Sequence, residues 1–144
     1  MGKFKEILNK IHFLPAQKAF NWIYVLAIVF MANLVTLLIS RTLLNQTMTG
    51  GNIASFIGIS LVVASIACLG YFGLEVFSMV VLAGNAMGII YLFYIVLVLA
   101  NVNRGWDDLT SLIGLLYFVV MGVFFGAIMQ VIFMISAGKF LAKK

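Results

Sequence analysis

One carboxylate interrupts a long apolar run. Glu75 is the single charge between Ile53 and Ala100. An acid held in hydrocarbon is costly, and where one occurs it usually serves as a proton or cation site. Three side-chain amides lie in similar apolar surroundings: Asn33, Asn85 and Gln130. Amides in lipid either hydrogen-bond across helices or line a polar path. Glu75, Asn33, Asn85 and Gln130 are therefore the candidate ion, proton or polar-network residues. Each has a plainer alternative. Glu75 meets water if the chain turns beside it, and the amides act as cross-helix ties if no embedded charge accompanies them.

Other reactive side chains are sparse. Asp107 and Asp108 are adjacent, as in sites that bind a cation or share a proton. Without further ligands they read as the charged start of a helix. His12 is the only histidine, and Cys68 the only cysteine, set in an apolar run where it reads as a small packing residue. The chain has no His- or Cys-rich metal set, no GxSxG and no Walker loop. The expectation is a protein that is not an enzyme and needs no cofactor.

These residues must be positioned by spans in a membrane. Of 144 residues, 65% are hydrophobic and 9% charged, against about 45–50% and about 25% in soluble domains. A soluble globule of this size has too much surface to hide so much apolar area. The run from 53 to 100 holds 48 residues. As one helix it would be about 72 Å long, more than twice the hydrocarbon thickness. It must fold back near its middle, where Gly70, Gly73 and Glu75 lie, so Glu75 marks a hairpin tip. The predicted spans are 20–40, 53–72, 78–100 and 109–136. The segment Arg41 to Asn52, with Asn45-Gln46-Thr47 and Gly50-Gly51, reads as a loop. The run from Trp22 to Ile39 is too long for a usual signal sequence and is taken as a retained helix.

Residues 1–19 form a juxtamembrane segment. Phe4, Ile7, Leu8 and Ile11 share one helical face, which predicts an amphipathic helix ending before Pro15. Residues 139–144 form a basic tail. The net charge of +5 is concentrated at these ends, as Lys3, Lys5, Lys10, Lys18, Lys139, Lys143 and Lys144. The loops expected outside hold only Arg41 and Arg104. This seven-to-two bias places both termini in the cytoplasm, with the lysines set to meet anionic lipid headgroups. Nucleic-acid binding is excluded, because no basic stripe remains once those flanks are explained. Short loops and lysine-rich ends fit a bacterial cytoplasmic membrane.

Small residues recur at four-residue spacing. Gly84 and Gly88 form one GxxxG pattern, and Gly122 and Gly126 a second. Ala54 and Gly58, then Ser60, Ala64 and Cys68, repeat the spacing in the second span. Such spacing stacks small side chains on one face, where backbones approach closely. The packing candidates are Gly58, Ala64, Gly84, Gly88, Gly122 and Gly126. The aromatics Trp22 and Tyr24 mark a membrane-interface belt. Tyr91, Phe93, Tyr94, Tyr117, Phe118, Phe124, Phe125 and Phe133 are expected at lipid or the interface.

The fold expected is an all-α, four-span membrane bundle. The function expected is a non-enzymatic subunit, regulator, or immunity- or sensor-type component of a membrane complex. Its partners would be the bilayer and either a second copy or another membrane protein. The alternative is a small oligomeric transporter or channel using Glu75 and the buried amides.

Overall fold

A computed structural model describes residues 14–99 and 107–136. The predicted amphipathic helix and Lys3, Lys5, Lys10, Lys139, Lys143 and Lys144 lie outside the described residues. Among the described residues four helices follow one another: α1 (Trp22–Leu43), α2 (Gly50–Ala67), α3 (Glu75–Leu99) and α4 (Asp107–Ser136). A 3-10 turn, Cys68–Phe72, continues α2. The apolar stretches Trp22–Leu43, Gly50–Phe72, Glu75–Val98 and Leu112–Ser136 are each long enough to cross a bilayer. Together they make this a small all-helical membrane protein.

The boundaries have local causes. Helix α2 starts at Gly50 because Thr49 caps it, its Oγ1 accepting from the Asn52 N–H at 3.3 Å. The Gly-Gly pair expected in the loop is thus the first helical turn. At the other end, the backbone tightens and Gly73 takes φ +96°. Its N–H donates to the Gly70 carbonyl at 2.9 Å. That left-handed residue reverses the chain, and α3 begins two residues later at Glu75. Several hydroxyls inside the spans bond to their own helix: Ser40 to the Leu37 carbonyl, Thr42 to Leu38, Ser65 to Leu61. This satisfies polar groups that lipid cannot.

Helix α4 lies chiefly against α3 and α1 against α2, while α3 also touches α1 and α2. The start of α1, the 68–73 turn and the end of α4 share one end of the bundle. The Lys18 N–H donates to the Tyr71 carbonyl there, at 3.1 Å. Two apolar clusters fill the interior. The cluster nearer that end holds Val29, Val63, Ala64, Ala67, Phe77, Val81 and Val119. The farther one holds Leu37, Phe56, Leu92, Val96 and Leu115.

Trp22 departs from the expected aromatic belt. It is 3% exposed, whereas Tyr24 is 62% exposed. Its indole Nε1 donates to the Ala16 carbonyl at 3.0 Å, and its backbone carbonyl accepts from the Cys68 thiol at 3.7 Å. The ring fills a notch left by Gly70, where a Cβ would overlap it and lie 2.7 Å from Ser78 Oγ. Gly73 leaves similar room for Gln17, whose Nε2 would sit 2.8 Å from a Cβ. Residues 16–22 are thus clamped onto the turn.

The notch makes Gly70 irreplaceable. Gly70→Val is expected to lower the thermal unfolding midpoint of the detergent-solubilised protein by several degrees. Gly50→Val, where a Cβ would meet nothing within 4 Å, should change it little. Gly73→Ala should cost about 1 kcal/mol from its left-handed backbone alone.

Candidate functional site

Four of the six small residues singled out by spacing meet in one seam. A Cβ on Gly84 would lie 2.8 Å from the Phe118 carbonyl oxygen and 3.0 Å from Gly122 Cα. One on Gly122 would lie 3.3 Å from the Val80 oxygen, and one on Gly88 3.0 Å from the Leu115 oxygen. At Gly126 it would sit 3.1 Å from the Phe77 oxygen. The α3 and α4 backbones therefore approach as closely as glycine permits, which maximises dispersion contact where lipid offers no hydrophobic drive. Tyr91 and Phe118 join this seam, with ring centroids 5.3 Å apart; Gly114 leaves room for the Tyr91 ring. They leave the lipid-facing set expected of them, while Tyr94, Tyr117, Phe124 and Phe125 stay exposed. Ala64 is fully buried in the core. Gly58 lies on an open face, with nothing within 4 Å of a Cβ there.

The four candidate polar residues fall at three places. Glu75 is the first residue of α3 and is exposed, at the helix end that favours an anion. Lys18 is also exposed, at the same end of the bundle. Gln130, 6% exposed, reaches from α4 to α3, and its Oε1 accepts from the Phe77 N–H at 3.1 Å. The first turn of a helix has N–H groups without helical partners, so Gln130 acts as a cap supplied by a neighbouring helix. Phe77 is 8 residues before Asn85, or about 12 Å nearer the turn end. Gln130 is thus separated from the other two amides.

Asn33 and Asn85 share a level in mid-bundle. Asn33 lies 11 residues past Trp22, Asn85 lies 10 past Glu75, and Ser60 lies 12 before Phe72. All three sit about 15–20 Å from the turn end. Asn33 and Ser60 are fully buried and Asn85 is 4% exposed. Along α1 the level is bracketed by Val29 and Leu37, along α2 by Val63 and Phe56, and along α3 by Val81 and Leu92. A polar layer therefore lies between the two apolar clusters. The Asn33 Nδ2 donates to the Val29 carbonyl at 2.8 Å. Asn33 Oδ1, Asn85 Oδ1 and Ser60 Oγ are buried without a hydrogen-bond partner among the described residues. From spacing, Ser60 reads only as a small packing residue. Its hydroxyl gains meaning from its depth, which matches that of the two asparagines.

The layer is neutral and rich in acceptors. It can hold a hydrogen-bond donor, but it offers no group that ionises. No three His, Cys, Asp or Glu side chains among the described residues cluster to bind a metal. Helix α4 begins at Asp107, which puts the acid pair in its first turn. No family model, curated protein or solved structure matches this chain.

Two sets of substitutions follow from these contacts. Gln130→Leu leaves the Phe77 N–H without its partner and should destabilise the bundle by about 1–2 kcal/mol, read as a lower denaturation midpoint in detergent. Gly84→Ile and Gly122→Ile should each force α4 away from α3 and lower stability more strongly. Gly58→Ile, on the open face, should leave monomer stability near that of the parent.

Proposed function

We propose that this chain is a non-enzymatic component of a membrane complex: a packing subunit, a regulator, or an immunity- or sensor-type protein. The observation that supports this most is the position of Glu75. The one acid in the 53–100 run is exposed at the turn end of the bundle. A conduit would need it embedded in a shared hydrated cavity. The α3 and α4 glycines are used within the chain, so contact with a second copy or another membrane protein falls to the open α2 face around Ala54 and Gly58. The seven-to-two bias of basic residues in the sequence supports a reading with both termini inside a bacterial cytoplasmic membrane, where the lysines would meet anionic lipid.

The transporter or channel alternative draws on the polar layer, where Asn33 and Asn85 share a level. Purification and reconstitution separate the two. The parent protein is expected to run in mild detergent as a defined complex, and Gly58→Ile to shift it toward monomer. A strictly monomeric particle with no co-purifying membrane protein would overturn the packing role. In proteoliposomes, no proton or cation flux dependent on Glu75 is expected; flux abolished by Glu75→Gln would establish the conduit instead. For sidedness, a C-terminal fusion to green fluorescent protein should fluoresce, and a C-terminal alkaline phosphatase fusion should be inactive.

A further inference from the structure

We infer that the mid-bundle layer binds one internal water molecule, held by Asn33, Ser60 and Asn85. Three buried oxygens on three mutually contacting helices lie at one depth and have no partner among the described residues. Leaving such groups unsatisfied in an apolar interior is costly, and internal water is how proteins commonly avoid that cost. A single water can serve all three of these oxygens. The Asn33 amide nitrogen donates to the Val29 carbonyl, and Asn33 Oδ1, an acceptor, is left without a partner among the described residues. Asn85 Oδ1 can only accept as well. A water supplies two protons, one for each amide oxygen, and its own oxygen accepts from the Ser60 hydroxyl. With each bond about 2.8 Å long, one water can join oxygens that make no bond to one another.

A cation fits the layer poorly. Its ligands would be two amide oxygens and a hydroxyl, with no carboxylate to balance the charge at that depth. The two apolar clusters close the layer on either side, so the water is a resident of the bundle. It ties α1, α2 and α3 together at a level where the Asn33, Ser60 and Asn85 side chains make no hydrogen bond to one another.

The test is water-edited solid-state NMR on protein with ¹⁵N-labelled asparagine in liposomes. The Asn33 and Asn85 side-chain signals are assigned by their disappearance in Asn33→Leu and Asn85→Leu. Both are expected to receive magnetisation from water, while the backbone amides of Val29, Val81 and Leu92 receive none. Absence of transfer to either side chain overturns the inference. Ser60→Ala, which removes only a hydroxyl, should fold and lose part of the transfer to both asparagines; unchanged transfer overturns the place given to Ser60. Thermal midpoints add an independent measure. The double variant Asn33→Leu/Asn85→Leu should lose less than the sum of the two single losses, because one water is lost once. Strictly additive losses would show that the asparagines do not share it.

Discussion

Lipid offers no hydrogen-bond partners, and most features of this chain follow from that. Each span is helical because a helix satisfies its own backbone. What the helices leave unsatisfied must be met by the chain itself. Where the first turn of α3 enters the bundle, Gln130 from α4 takes the Phe77 N–H. Where α1 begins, the Trp22 indole returns to the Ala16 carbonyl. Where α2 ends, the turn closes through Gly73 and Gly70. In the mid-bundle layer Asn33, Ser60 and Asn85 each leave an oxygen without a partner among the described residues, and the inferred water supplies the donor there.

The same solvent changes what holds the helices together. Lipid tails are as apolar as leucine, so burying leucine gains little over leaving it exposed. Close fit has to do more. Helix α3 touches all three of its neighbours, and close fit around it is reached by two opposite devices. Toward α4 it removes side chains, through Gly84 and Gly88. Just before α3, the turn supplies a gap at Gly70 and the start of α1 supplies the large Trp22 ring that fills it. Ser78, one turn into α3, lies against that same gap and links the two devices.

The four spans were legible because length alone demands them: a 48-residue run with one charge must fold back, and glycines near its middle show where. The buried faces were much less legible. In a soluble helix, polarity marks the outward face; here both faces are apolar, and hydropathy does not distinguish lipid from core. Only residues with special geometry or polarity revealed the inward side, namely the α3 and α4 glycines and the amides. Trp22 was misplaced because aromatic enrichment at span ends is a property of position along the span, while its burial depends on Gly70, 48 residues away. Ser60 was read as small rather than polar because the asparagines that share its depth lie on other helices. Thr49 showed that a Gly-Gly pair after a good cap can open a helix.

The Gly84–Gly122 contact also bears on how this protein can change over generations. A tight pair of ordinary side chains can drift together, one growing as the other shrinks. Two glycines cannot, since no residue is smaller. A substitution that enlarges either one has no compensating change at the other. Any suppressor must instead shift α4 as a whole, through residues such as Gln130 or Leu115 that set its height against α3. The seam is therefore a fixed point, around which the lipid-facing surface of α4 is free to diverge.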